Sequence, residues 1–192
     1  MNVRELYDAV LTDVEYHDAR LVPVDGIPAP HRRFFAKLVR RLCPKYVVEL
    51  GTGTGRTSAQ ILSALPSDGQ FVTINWPNPP SGEDVGIELM PWRPDPRLRQ
   101  LIGDTRMAFQ FIESGIDLLY IDSTHTSEHV MQEWEAYRPK LVNGAIVVVD
   151  DIDFPKSDMR EFWNPLPYDK VEIVLGDHAA GMFRYEEQRL WP

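Results

Sequence analysis

The 192-residue sequence has one cysteine, Cys43, so no internal disulfide can brace the fold. It stands between a helix-like and a strand-like segment and reads as a packed thiol rather than a reactive one. No apolar run approaches the roughly 18 residues of a membrane span. The opening Met1-Asn2-Val3-Arg4-Glu5 has none of the apolar core of a signal peptide, which makes the cytoplasm the expected location. Basic residues are outnumbered, 20 Lys and Arg against 29 Asp and Glu, for a formal charge of -9. That balance weighs against a nucleic-acid partner held through its phosphates and in favour of a small molecule. Internal repeats and low-complexity stretches are also missing.

The length suits one domain spanning 1–192, and the chain shows no sharp internal boundary. Residues 1–45 read as a helical extension. Val3, Leu6, Tyr7, Val10 and Leu11 recur at helical spacing, and a second helix is predicted from Ala29 to Leu42, where Cys43-Pro44 stops it. From residue 46 to 192 strands and helices alternate. Strands are predicted at Tyr46–Leu50, Gln70–Ile74, Arg97–Ile102, Ile116–Ile121 and Ala145–Val149. Helices are predicted at Thr57–Leu65, Thr105–Ser114 and Ser127–Leu141. A short helix, Met159–Trp163, precedes two strand-like runs, Lys170–Leu175 and Gly181–Tyr185, that can pair as a hairpin. Strands apolar on both faces alternating with helices imply an α/β, Rossmann-like, doubly wound and mostly parallel sheet, with an antiparallel edge strand where the last helix is missing. The proline-laden stretch 76–96 reads as an insertion, with Trp76, Met90, Trp92 and Arg93 as lid residues or as a stiff surface loop. Trp163 and Trp191 read as packing residues or as contacts of a homo-oligomer.

The segment Val47-Val48-Glu49-Leu50-Gly51-Thr52-Gly53-Thr54-Gly55-Arg56-Thr57 is a strand, a glycine turn and a helix start. In doubly wound sheets ligands bind beyond the carboxyl ends of the strands. A dinucleotide motif would need glycine where Arg56 stands. A P-loop would need one more residue between the glycines and a lysine in place of Arg56. S-adenosylmethionine fits better on charge, because Glu49 would repel a pyrophosphate but suits a sulfonium and an ammonium.

Two further strands end in acids. Ile116–Ile121 runs into Asp122-Ser123-Thr124-His125, and Ala145–Val149 runs into Asp150-Asp151-Ile152-Asp153. Carboxylates at neighbouring strand ends suit a hard divalent cation such as Mg²⁺, with Asp122, Asp150 and Asp151 as candidate ligands. The alternative is that they cap helices and face water. His125, three residues beyond Asp122, is a candidate proton acceptor. His129, one turn later, either orients His125 or sits on a solvated helix face.

On the glycine loop and the spacing of the later landmarks, the chain from about Tyr46 resembles the class I S-adenosylmethionine-dependent methyltransferases. The resemblance implies a seven-stranded sheet whose last strand is antiparallel, with Glu49, Gly51, Gly53 and Gly55 bordering the methionine part of the cofactor. It implies that Asp104, in Leu101-Ile102-Gly103-Asp104-Thr105, meets the adenine amino group, and that Asp122 borders the cofactor. Asn75 stands where the family usually places an acid for the ribose hydroxyls, and an amide can bond both, more weakly. The run Ile116–His125 followed by Glu128 resembles the macrocin O-methyltransferase-like and cephalosporin hydroxylase group. Its acids after the fourth and fifth strands are associated with a divalent metal, as in the small catechol O-methyltransferases. Ser123-Thr124 replaces the glycine-acid pair often found before the histidine. The implied reaction is metal-assisted O-methylation of a small-molecule hydroxyl, with Asp122 and His125 as the catalytic pair. Two other readings remain, an S-adenosylmethionine-binding protein without transfer activity and a P-loop-like nucleotide binder.

Overall fold

The computed structural model describes residues 1–23, 26–77, 84–155, 157–175 and 177–187. Seven strands form one sheet: β1 (Tyr46–Leu50), β2 (Gln70–Asn75), β3 (Leu98–Ile102), β4 (Ile116–Ile121), β5 (Leu141–Val149), β6 (Lys170–Leu175) and β7 (His178–Arg184). Their order is β3-β2-β1-β4-β5-β7-β6. The pairs among β1 to β5 are parallel, whereas β7 runs antiparallel to both β5 and β6. The sheet is the expected doubly wound one. The C-terminal hairpin folds back so that β7 lies inside β6.

Among the described residues, six α-helices cover it: α1 (Val3–Leu11), α2 (Phe34–Leu42), α3 (Arg56–Ala64), α4 (Thr105–Ala108), α5 (Ser127–Tyr137) and α6 (Met159–Trp163). Alternation along the strands divides the core into two layers. One layer joins Val47, Leu118, Tyr120, Ile146 and Val148 to α1, α2 and α3. The other joins Val48, Leu119, Val147 and Val149 to α5 and α6, with Trp134 wedged among Tyr168, Phe183 and Tyr185. The N-terminal helices are therefore part of the core. Val3, Leu6 and Val10 are fully buried, and the Val3 N–H donates to Asp169 Oδ2 at 3.0 Å.

Several elements are shorter than their apolar spacing predicts. Residues Ala29–His31 form a separate 3-10 turn, and Arg33 takes a left-handed conformation (φ 54°) before α2 starts. The predicted helix 105–114 tightens after one turn into a 3-10 segment, Phe109–Phe111. Pro139 helps tighten the end of α5 in the same way, and β5 begins at Leu141. Cys43 corrects the packed-thiol reading. It caps α2 in the left-handed region (φ 48°), a turn that leaves it exposed, with Sγ donating to the Arg40 carbonyl at 3.2 Å.

Within the insertion, residues 78–83 lie outside the described ones, as does Trp191. The part that is described folds onto the glycine loop. Gly86 N–H donates to the Gly53 carbonyl at 2.9 Å and Glu88 N–H to the Thr54 carbonyl at 2.8 Å. Trp92 is buried in the core beneath the Arg20 guanidinium, 3.4 Å from the ring centre. Trp76 and Met90 are exposed. Trp163 packs in the core and donates its indole N–H to Glu172 at 3.2 Å.

Candidate active site

The parallel ladder continues past the ends of four strands and ties the site-bearing loops in series. Gly51 N–H donates to the Ile74 carbonyl (2.8 Å), Gly103 N–H to Asn75 (2.8 Å), Asp122 N–H to Leu50 (2.7 Å) and Asp150 N–H to Ile121 (2.8 Å). Every site residue expected from the sequence lies along this one edge. Gly51, Gly53 and Gly55 all have positive φ, at 101°, 49° and 90°. At Gly51 the requirement is steric as well: a Cβ there would lie 1.8 Å from the Asp122 carbonyl oxygen.

Glu49 has no exposed surface. Its Oε2 accepts from the Ser58 hydroxyl and, at 2.5 Å, from the Thr73 hydroxyl, while Oε1 has no partner among the described residues. Burial pushes its carboxyl up to about 8, against the pull of the two hydroxyls. Thr73 stands beside Glu49 in the β1–β2 register and also meets the Thr52 hydroxyl at 2.7 Å. Asn75 accepts from the Gly53 N–H at 3.1 Å and donates to the Trp76 carbonyl at 2.9 Å. The amide thus braces the glycine loop. Asp104 caps α4 through the Arg106 N–H at 2.9 Å and forms an ion pair with the Arg106 guanidinium at 2.7 Å, which holds its carboxyl below the usual range.

The acids after β4 and β5 converge on a residue the sequence reading passed over. The buried Tyr120 hydroxyl lies 2.5 Å from Asp150 Oδ2 and 3.0 Å from Asp122 Oδ2, with Phe35 packed against its ring at 4.4 Å between centroids. One hydroxyl proton cannot satisfy two carboxylates. Crowding by protein atoms and the charge of Asp122 accordingly raise Asp150 to about 7, and burial raises Asp122 as well. His125 bridges outward from this pair, with Nε2 3.3 Å from Asp122 Oδ1 and Nδ1 2.9 Å from Asp151 Oδ2. Its hydrogen bonds to Asp122 and Asp151 push the imidazole up to about 10. Asp151 reaches it from a left-handed backbone (φ 52°). The Phe154 ring lies between those of His125 (5.7 Å) and His178 (5.1 Å).

His129 does not reach toward His125. It joins Glu133, Ser123 and Thr105 in a second polar group. Signals for both missed groups were present. Tyr120 precedes Asp122 by two residues and so shares its strand face, and Glu133 follows His129 by four on a helix.

No set of three or more His, Cys, Asp or Glu side chains among the described residues is arranged as a metal cage. Asp122 and Asp150 form a pair, and Asp151 is engaged by His125. Such a pair fits a cation that takes one or two protein carboxylates and completes its shell with other oxygens.

A profile of the methyltransferase-domain family matches residues 48–152, more than half of the chain. A search of curated proteins by sequence found no match. Among solved structures, the O-methyltransferase TomG from Streptomyces achromogenes, in complex with SAM, superposes with a TM-score of 0.69 at 19% identity over 96% of each chain. Cofactor-bound Rv0187 from MTB gives 0.66 at 18% identity over 96% of this chain and 90% of that one. An O-methyltransferase from Bacillus cereus in complex with SAH gives 0.60 at 15% identity, over 94% and 89%. These likenesses speak for the fold, and the profile covers the glycine turn and both acid-bearing strand ends. The profile shows that the chain belongs to the methyltransferase-domain family, and the sheet order and the likenesses give it the Rossmann-like class I methyltransferase fold.

Proposed function

We propose that the protein methylates a hydroxyl group of a small molecule, assisted by a divalent cation held between Asp122 and Asp150. The observation that carries this reading is the convergence of those two carboxylates on Tyr120, next to His125 and against the back of the glycine loop. Two acids so close keep an unbalanced negative charge, which a proton or a cation relieves.

Glu49, Gly51, Gly53 and Gly55 border the methionine end of the methyl donor. Asn75 serves the ribose while it braces the loop. Asp104 takes the adenine amino group on lone pairs left over from Arg106. Asp122 lies where donor and acceptor meet. A divalent cation, when bound, supplies Lewis-acid polarisation and orientation of the acceptor hydroxyl. Asp122 and Asp150 would hold it, with Asp151 acting from beyond through His125. His125 receives the hydroxyl proton. With Asp151 on Nδ1 and Asp122 on Nε2 the ring is an imidazolium at neutral pH, so it becomes an acceptor once Asp122 is engaged elsewhere and Nε2 has released its proton to solvent. Alignment of donor methyl and acceptor oxygen is the rest of the catalytic task. The exposed Phe154 ring beside His125 suits an acceptor with a flat or apolar face.

The test is release of S-adenosylhomocysteine during incubation with a panel of phenols, catechols and sugars, with Mg²⁺ or with excess EDTA. The expected result is turnover of one acceptor class, lost in EDTA and in Asp122→Ala while S-adenosylhomocysteine binding survives. Equal turnover in EDTA would remove the cation from the reading. Tight S-adenosylmethionine binding with no turnover of any hydroxyl would favour a protein that binds the cofactor without transferring from it.

A further inference from the structure

Glu133 lies in the middle of α5 with no exposed surface and takes no part in the chemistry described above. Its Oε2 accepts from the Ser123 hydroxyl at 2.8 Å, and its Oε1 lies 3.2 Å from His129 Nε2. The same nitrogen is 3.2 Å from the Thr105 hydroxyl oxygen. A carboxylate only accepts hydrogen bonds, so Nε2 carries the ring proton and shares it between Glu133 and Thr105. Tyr137, one turn further along α5, donates to the Thr105 carbonyl at 2.8 Å, and Gln132 accepts from Arg106 at 3.1 Å.

The two arms of this group end on different loops. Ser123 follows β4, and its backbone nitrogen lies 3.0 Å from where a Cβ at Gly51 would sit. Thr105 follows β3 and is the neighbour of Asp104, whose carboxylate also feels His129. One carboxylate thus ties together the loops after β3 and β4, which the ends of β2 and β1 separate in the sheet. An apolar side chain could seat α5 on the sheet without the desolvation that a buried carboxylate costs. What the polar group adds is a fixed separation between the loops.

We propose that Glu133 is a positioning residue for the methyl donor, holding the loops after β3 and β4 at the spacing the cofactor needs through Ser123 on one side and His129 and Thr105 on the other. The proposal rests on reading this edge as the cofactor site.

Calorimetric titration of the full chain with S-adenosylhomocysteine tests it, well below the thermal transition of each variant. Glu133→Gln keeps the size but replaces an acceptor by a donor facing His129, and is expected to weaken binding about tenfold. Ser123→Ala and Thr105→Val each cut one arm and are expected to weaken it by smaller factors. Thr105→Val, which cuts the arm that Glu133→Gln already breaks, should add nothing in the Glu133→Gln background. Glu135→Gln, exposed on the same helix, is the control and should bind as wild type does. A merely structural Glu133 would lower the transition temperature and leave the affinity of the folded protein unchanged, and that result overturns the proposal. If Glu133→Gln does not fold, unchanged affinity in both Ser123→Ala and Thr105→Val overturns it equally. Failure of the wild type to bind S-adenosylhomocysteine overturns the cofactor reading itself.

Discussion

Replacing Glu49 by glutamine removes a titration from the centre of the sheet while leaving size and shape almost unchanged. In the folded protein the carboxyl is pushed from 4.5 to about 8 because it is buried, against the pull of the Ser58 and Thr73 hydroxyls that donate to it. The native state therefore keeps a proton that the unfolded chain gives up as pH rises through 4.5. Between 4.5 and about 8 the native state binds more protons, so stability falls with rising pH across that window. Fully expressed, above pH 8, the difference is ~5 kcal/mol. Well below pH 4.5 the acid is neutral in both states, and at pH 5 the linkage has reached only ~1 kcal/mol, so the variant should differ little from wild type there, since the amide oxygen can take the place of Oε2. Urea denaturation followed by tryptophan fluorescence, at steps from pH 5 to pH 9, gives both curves. The expected outcome is near coincidence at pH 5 and a variant more stable by several kcal/mol at pH 9. Parallel curves across the range would mean that Glu49 ionises as an ordinary carboxyl, and the argument from burial would be wrong. Calorimetry in buffers of different ionisation enthalpy extends the test, because meeting a cationic methionine end at pH 7 should expel the Glu49 proton in the wild type and not in Glu49→Gln.

Three further outcomes follow from the same geometry. His125, raised to about 10 by Asp122 and Asp151, should show imidazolium ring signals by NMR at pH 8 and shift toward the neutral ring on addition of Mg²⁺; a neutral ring at pH 7 in the free protein would contradict it. Gly51→Ala sets a Cβ 1.8 Å from the Asp122 carbonyl in a left-handed backbone, and should cost more than about 4 kcal/mol or prevent folding, read by denaturation and soluble yield. A loss below 1 kcal/mol would mean that this contact relaxes. Asn75→Asp keeps the acceptor for Gly53 N–H and gives up the bond to the Trp76 carbonyl, so it should lose ~1 kcal/mol of stability while binding S-adenosylhomocysteine at least as well as wild type. A tenfold loss of affinity would argue against a ribose role.

The sheet was legible because period and punctuation agreed. Tyr46–Leu50 and Ile116–Ile121 are bounded in the sequence as they are in the structure, since apolar runs there end abruptly in glycine or aspartate. The glycine turn was legible for the same reason, with three alternate residues that all need positive φ. Side-chain pairing was not. That Asp151 turns to His125 depends on its left-handed backbone, and that Tyr120 joins two acids depends on which strand lies next to β4. His129 shows the limit most clearly. One turn from His125 on a helix, it is spaced to help it, yet Glu133 and Thr105 hold it elsewhere. The position of β7 between β5 and β6 likewise depends on a hairpin folding inward, which local pattern does not encode.

That inward hairpin imposes an order of assembly. β5 is the most apolar strand of the sheet, and one of its two hydrogen-bonding edges is covered by β7, through the Val147–Phe183 and Val149–Gly181 pairs. Gly181 has no side chain to separate β7 from the Trp163 ring, which would stand 2.4 Å from a Cβ. As the chain leaves the ribosome, β1 to β5 and their helices are complete before β7 exists. Until residues 178–184 emerge, β5 is an open apolar edge of the kind that recruits strands from other chains. The C-terminal end of β5, which leads into Asp150 and Asp151, thus keeps one edge unpaired until the last strand of the sheet is made.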